Sequence, residues 1–344
     1  MRRDRATHRR IHAERGSVAA KIVIAGLAEN CGQKVHNLQV ATRGVSEDVD
    51  VFAFVDSDAR PGRRWLATLV ARLDGEVSAA TTGYRWFIPQ RASMANYLLA
   101  GINSGLAGLF GPGGHHLVWG GSWAISRRVF DGVALGQKWQ QTLSDDLVAS
   151  RALRAAGKPV GFEPGCLVGS PLDQRFAQVF EFIRRQYTIA RFYVPRWWLL
   201  AVVASTFTNV ALWGSLVLAA ALASSAAPRW WMPLAGSATL YALGAIKTAL
   251  RHQIAQTCLP QHGDALRQLA GFDIAAWPLA ALVNWAGLVA SAVGDTITWR
   301  GIRYRMGRGG VVREVERLAP ASLAFTGKTA APEEESPPSR RAAS

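Results

Sequence analysis

Cysteine is scarce in this 344-residue chain: Cys31, Cys166 and Cys258 stand far apart, with no Cys-x-x-Cys pair and no Cys/His cluster at zinc-ligand spacing. That scarcity argues against a disulfide framework or a structural metal centre. An apolar stretch is also missing from the charged N-terminus, which therefore reads as neither a signal peptide nor an anchor. Acidic residues are few beside basic ones, 24 against 39, for a formal net charge of +15. Clustered Lys and Arg attract phosphates, so nucleic acid and anionic membrane are both candidate partners. No nucleic-acid recognition motif accompanies the charge. Its distribution favours membrane, because arginines gather at the N-terminus (Arg2, Arg3, Arg5, Arg9, Arg10), before the first long apolar run (Arg184, Arg185, Arg191, Arg196) and after the last (Arg300, Arg303, Arg305, Arg308). A generally basic surface would give the same totals.

Charge disappears from three stretches: Trp197 to Pro228, Trp230 to Ile246 and Ile274 to Gly294. A bilayer span takes ~20 apolar residues, so two to three transmembrane helices are expected within residues 196–298. Trp197, Trp198, Trp230 and Trp231 mark run ends, where indole rings favour the headgroup region. Three spans starting in the cytosol would end outside, yet the basic juxtamembrane segment 299–318 should stay inside, so one run is either re-entrant or interfacial. Residues 1–20 read as a basic segment and residues 319–344, rich in Ala, Pro, Ser and Glu, as a disordered tail.

Between these lies a segment, 21–195, with 49% of the whole chain hydrophobic and enough length for one globular core. From Lys21 to Gly169 short β-rich runs alternate with amphipathic stretches, which predicts an α/β layer. Lys21 to Ala25 reads as a buried strand, Lys34 to Thr42 as a helix and Val49 to Val55 as a second buried strand. Trp65, Leu66, Leu69, Val70 and Leu73 mark a helix face, Val77 to Phe87 a strand, and Arg91 to Phe110 a helix.

Asp56-Ser57-Asp58 follows directly on the strand ending at Val55. Ligands of open α/β sheets bind beyond the carboxyl ends of strands, and an Asp-x-Asp pair there can hold a hard divalent cation that bridges diphosphate oxygens. An acidic turn would produce the same tripeptide. Ser144-Asp145-Asp146 opens a predicted helix, Asp145 to Ala156, ended by Gly157, with Thr142 or Ser144 as cap. Helix-dipole chemistry explains one of the two acids and leaves the task of the second open; a carboxylate in a cleft can take the proton from an attacking hydroxyl. His115-His116 has no further ligands at helical spacing and reads as part of a loop.

Five motifs in order, Asn30 to Leu38, Val55-Asp56-Ser57-Asp58, Gly83-Tyr84-Arg85-Trp86, Gly120-Gly121-Ser122-Trp123-Ala124-Ile125 and Ser144-Asp145-Asp146, resemble those of family 2 glycosyltransferases of the bacterial type similar to ceramide glucosyltransferase. The resemblance covers Ala20 to Tyr193, with a weaker echo at Trp299 to Arg305. It implies a GT-A-like (Rossmann-like) nucleotide-sugar domain followed by C-terminal transmembrane helices, and an inverting transfer from a UDP-sugar to a lipid hydroxyl at the cytoplasmic face of a bacterial inner membrane. It implies Mg²⁺ or Mn²⁺ on Asp58 with Asp56 beside it, Asp146 as base with Asp145 where relatives commonly carry Glu, and Lys34 near the donor. Gly120, Gly121 and Ser122 would line the acceptor side. The family's closing Gln-x-x-Arg-Trp element would fall within Arg184 to Phe192, where Gln186 is present but the Arg191-Phe192 pair follows two residues late; Arg185 or Arg191 could set positive charge against the diphosphate. Relatives also carry an anchor, a first strand and a uracil-gripping Asp, which would precede Lys21. No such pattern occurs in the first twenty residues, so a late start or a shortened, non-catalytic relative is expected as the alternative. A processive polysaccharide synthase is the other enzyme reading, since it shares the Asp-x-Asp pair, the acidic base and carboxyl-terminal helices.

Overall fold

The structure, a computed structural model, describes residues 20–73 and 78–318. The expectations for residues 1–19, Val77 and 319–344 lie outside them. Helix α1 (Gln33–Arg43) leads to strand β1 (Val51–Val55), helix α2 (Trp65–Val70), strands β2 (Ala80–Thr82) and β3 (Arg85–Pro89), and helix α3 (Met94–Ala107). Strand β4 (Ser122–Ser126), the short helices α4 (Arg127–Gly132) and α5 (Leu135–Lys138), helix α6 (Asp145–Ala155), and strands β5 (Val160–Phe162) and β6 (Val168–Leu172) follow. The main sheet has the order β1-β4-β2-β5, antiparallel except for the parallel β2–β5 pair. A second, parallel sheet pairs β3 with β6. The predicted strand Val77 to Phe87 is thus two strands that pair in different sheets, parted at Gly83 and Tyr84, and an added Cβ on Gly83 would collide with the Cys166 carbonyl. This is a mixed α/β fold.

One predicted strand is absent. Lys21 to Ala25 runs without ladder partners, and Ile22, Val23 and Ile24 are exposed. Its β-branched run satisfies the sequence pattern, but a strand needs a neighbour for its N–H and C=O groups, and no described residue supplies one.

The core forms around Trp123 and Trp139, both fully buried. Phe54 stacks on Trp123 at 4.5 Å and meets Trp139 edge-on at 5.9 Å. The Trp139 indole donates to the Asp145 carbonyl at 2.9 Å, which ties the first turn of α6 to this core.

Helix α7 (Phe176–Tyr193) buries Ile189 and Tyr193 in the same core and hands the chain to α8 (Pro195–Asn209), which a π-turn at Val210–Gly214 joins to α9 (Ser215–Ser224). Within the π-turn the Leu212 carbonyl accepts from Ser237 of α10 (Trp231–Cys258) at 3.0 Å. Helix α11 (Gly263–Ala290) lies against α3 and α7: Gly287 has no room for a Cβ beside Ile183, and Tyr187 donates to Asn284 at 3.0 Å. Two helical stretches, Pro195–Ser224 and Pro260–Ala290, are long and apolar enough to cross a membrane. Helix α10 is not one of them; Lys247 and Arg251 follow its charge-free run.

A buried polar cluster fastens these helices to the α/β part. Asp273 of α11, only 2% exposed, accepts from Ser104 of α3 at 2.9 Å and from Arg251 of α10 at 3.2 Å, and pairs with His252 at 2.9 Å. Removing the carboxylate strands two basic groups, so Asp273→Ala is expected to lose roughly 3–5 kcal/mol of stability, read as a lower midpoint in detergent-phase unfolding.

The segment read as basic and juxtamembrane, 299–318, forms most of a three-stranded antiparallel sheet: β7 (Thr296–Trp299), β8 (Ile302–Met306) and β9 (Val312–Arg317). Arg303 and Arg305 face solvent while Ile297, Tyr304, Met306 and Val312 enter the core beside Val35, Trp139 and Tyr193. The alternation was present in the sequence, hidden under the arginine count.

Candidate active site

Three loops at the carboxyl end of β1 meet at one ammonium group. Lys34 Nζ, in the first turn of α1, lies 2.9 Å from Asp56 Oδ1 and 3.3 Å from Asp145 Oδ1, and donates to the Gly120 carbonyl at 3.0 Å. Gly32 N–H donates to the Thr142 carbonyl at 2.8 Å, which brings α1 to the loop before α6. The segment leading into β4 is pinned by successive amides: Val118 to Ser150 Oγ at 2.8 Å, Trp119 to Thr82 Oγ1 at 3.0 Å and Gly120 to Asp146 Oδ2 at 3.0 Å.

No side chain fits at the glycine pair. A Cβ on Gly120 would sit 2.8 Å from Asp145 Oδ2 and 2.9 Å from Lys34 Nζ; one on Gly121 would sit 2.6 Å from Asp56 Oδ2 and inside the Trp119 ring. Ser122 is placed otherwise than expected. It is fully buried, its hydroxyl accepting from the Trp65 indole at 2.8 Å and donating to the Cys166 carbonyl at 3.1 Å, so it holds the strand and lines no cleft.

The two acids opening α6 have different surroundings. Ser144 caps the helix, and Asp146 Oδ1 accepts from its hydroxyl and from Leu147 N–H at 2.8 Å, while Oδ2 takes the Gly120 amide. A carboxylate has about four lone-pair sites, so one on the part-exposed Asp146 remains for a ligand. Asp145 is 3% exposed, and its Oδ2 has no hydrogen-bond partner. Burial pushes its carboxyl up to about 7, against the pull of Lys34 and with help from Asp146. Burial alone would lower the Lys34 ammonium, but Asp145, Asp56 and Asp146 together raise it above its ordinary value.

This arrangement has a pH signature. A carboxyl raised in the folded state binds its proton there at pH values where the unfolded chain has released it, so stability falls as pH climbs through about 4 to 7. Melting of the wild type between pH 5 and 8 is therefore expected to move downward with pH, and Asp145→Asn to flatten that dependence.

Asp58 stands apart from the Lys34 cluster, 61% exposed, with Arg300 4.0 Å away. Of the three residues expected to close the site, Arg185 lays its guanidinium over Phe182 and over Trp299 at the end of β7. Gln186 is exposed on α7. Arg191 is taken up elsewhere, its guanidinium donating to the carbonyls of Ala292 and Gly294. The two-residue offset in the motif has this physical counterpart, since Arg191 points to the loop after α11. His116 bonds the Gly111 carbonyl at 2.8 Å within its loop, and no group of three His, Cys, Asp or Glu among the described residues forms a ready-made metal cage. Along the sequence Arg85 stands only as a motif residue and Arg300 as one of a basic group, and nothing singles out Trp119; in the structure Arg85 lies over Trp119, and Arg300 reaches Asp58.

Acids from separate loops gathered on one lysine beyond a sheet edge suit group transfer from a charged donor, and the class is that of a glycosyltransferase. The chain belongs to glycosyl transferase family 21, whose model matches residues 4–312, so the motifs first read as family 2 fall in family 21. That family implies a nucleotide-sugar donor and an acceptor. No curated protein matches the chain closely enough to count as a relative.

Proposed function

We propose that the protein is an inverting glycosyltransferase of GT-A-like fold that moves a sugar from a UDP-sugar to the hydroxyl of a membrane lipid, ceramide-like or other. The observation that supports this reading above all is the convergence of Asp56, Asp145 and Asp146, from distant stretches, on Lys34 and Gly120. The acceptor hydroxyl approaches the exposed side of Asp146, whose remaining lone pair takes its proton as the hydroxyl oxygen attacks the anomeric carbon. The bond to the diphosphate breaks on the opposite face, which inverts the centre. Asp145 answers the question of the second acid: it anchors Lys34, and Lys34 orients Asp56.

A divalent cation fits the donor end. Mg²⁺ takes one or two carboxylates, water and phosphate oxygens, and needs no all-protein cage. Asp58 offers an open carboxylate and Asp56 Oδ2 is free of Lys34, so these two would hold Mg²⁺ or Mn²⁺. The ion would offset charge on the departing diphosphate.

The bilayer reading rests on exterior apolar surface. Leu200, Phe207, Val217, Trp231 and Leu243 are among many large apolar side chains exposed on α8 to α10. Helix α11 touches α3 and α7 along its length, and β7–β9 returns to the catalytic core. Both ends of the helical region therefore share one side, the cytoplasmic one. We assign the crossing hairpin to α8–α9 with α10, whose exposed Trp231, Leu243 and Ile246 outweigh its lower hydropathy, and an interfacial place to α11, which though apolar enough to cross is packed on α3 and α7.

The test is transfer of labelled sugar from UDP-sugar into the lipid extract by the detergent-purified chain. EDTA is expected to stop transfer and Mn²⁺ or Mg²⁺ to restore it; full activity in EDTA refutes the cation. Label confined to water-soluble product refutes the lipid acceptor.

A further inference from the structure

We propose that Arg300, at the tip of the β7–β8 hairpin, closes over the donor diphosphate together with Arg85 and Arg185, forming the basic wall opposite Asp56 and Asp58. The proposal rests on the reading of this cleft as a UDP-sugar site.

The hairpin itself is the first observation. Trp299 pairs with Ile302, so Arg300 and Gly301 are the two central residues of the turn, with φ of +49° and +78°. Two positive φ values define a type I′ turn, whose first central position favours Asn, Asp or Gly. An arginine there holds a left-handed backbone that its Cβ disfavours. Strain of this kind is kept where a side chain must reach a particular place. Here the guanidinium reaches Asp58 Oδ2 at 4.0 Å.

The second observation is unanswered charge. Arg85 lies over Trp119 at 5.3 Å and over Phe182 at 5.7 Å; Arg185 lies over the same Phe182 at 5.3 Å and over Trp299 at 5.9 Å. Neither makes an ion pair among the described residues. Burial lowers the Arg185 guanidinium to about 10, Arg85 adds to the effect, Glu181 opposes it, and Arg300 contributes the last part. Two guanidiniums held over aromatic rings, with Arg300 beside Asp58, present N–H edges that match phosphate oxygens.

The position of the wall selects the diphosphate over a phosphate on the lipid. Trp119, under Arg85, lies against Gly121 beside Asp56, and Arg300 touches Asp58 itself. Both contacts border the aspartates assigned to the donor. On donor arrival Arg300 exchanges a carboxylate for phosphate oxygens, and the Asp58 carboxylate is released to the cation.

Arg300→Asn separates function from folding, because Asn suits the left-handed turn. In the full-length chain in detergent with Mn²⁺, the melting temperature should hold or rise, while UDP affinity by calorimetry falls roughly ten- to a hundredfold. UMP, with one phosphate fewer, should lose less, and Arg300→Lys should fall between. UDP affinity within about threefold of wild type, a range smaller than one charge-assisted hydrogen bond confers, overturns the proposal. So does unchanged UDP affinity with a raised requirement for a phosphate-bearing lipid, which would give the wall to the acceptor. Wild-type protein that binds no UDP sinks the broader donor reading instead.

Discussion

Asp146→Asn is expected to slow sugar transfer by about two to four orders of magnitude while UDP binding stays near wild type. The carboxylate already receives three protein donors, from Ser144, Leu147 and Gly120. These hold it in place and leave a single acceptor site toward the cleft. Asparagine has nearly the same shape but cannot take a proton, and its NH₂ would face either the Gly120 amide or the Leu147 amide. Part of the loss could then be misplacement, so Asp146→Glu is the companion: it keeps the base and shifts it by one methylene. Single-turnover transfer and UDP displacement are the measurements. A rate for Asp146→Asn within a few fold of wild type removes Asp146 from the proton-transfer step.

Lys34→Met should be the most damaging change to the site as a whole. One ammonium joins Asp56, Asp145 and the Gly120 carbonyl, and without it three carboxylates share a pocket with no cation of the protein's own. Losing one member of a buried pair costs about 3–5 kcal/mol. The deficit has a pH sense: below about 7 Asp145 already holds its proton in the wild type, so losing the ammonium strands fewer charges there than above it, where wild-type Asp145 is ionised and paired with Lys34. Denaturation at pH 5 and pH 8 should therefore show the variant much closer to wild type in acid. Arg in place of Lys is not expected to rescue, because its planar fork is larger than the gap between Gly120 and the two carboxylates. Equal destabilisation at both pH values would show that Asp145 is not the group Lys34 restrains.

Much of this site was legible in the chain because its chemistry is carried by short runs next to strong local signals. Asp56 to Asp58 follows a five-residue apolar strand, and Ser144 with two acids announces a helix start. Gly120 and Gly121 were visible as a pair, and the physical reason for them became plain only when Lys34 and Asp145 were seen where a Cβ would go. Other features were hidden for identifiable reasons. Lys21 to Ala25 satisfies strand propensity, but pairing is a property of neighbours. Ser122 belongs to the motif yet is buried along with its β4 neighbours, its hydroxyl taken up by Trp65 and Cys166. Arg85 and Arg300 are separated by more than two hundred residues, and the motif and the basic group that hold them do not announce their place beside the aspartates. Among the three apolar runs, length and composition favoured the first, whereas the packing of α11, which carries the last, against α3 and α7 depends on Gly287 and on Asp273 just before that run.

The β7–β9 sheet sets an order of events during synthesis. Tyr304 and Met306 lie in one core with Val35 and Trp139, so the catalytic half is closed by residues translated after every apolar helix. Each such side chain contributes roughly 1.5–3 kcal/mol when buried. The ribosome thus delivers α8 to α11 while the globular half still lacks its final layer, and a soluble fragment ending before Pro195 would keep that face permanently open to water.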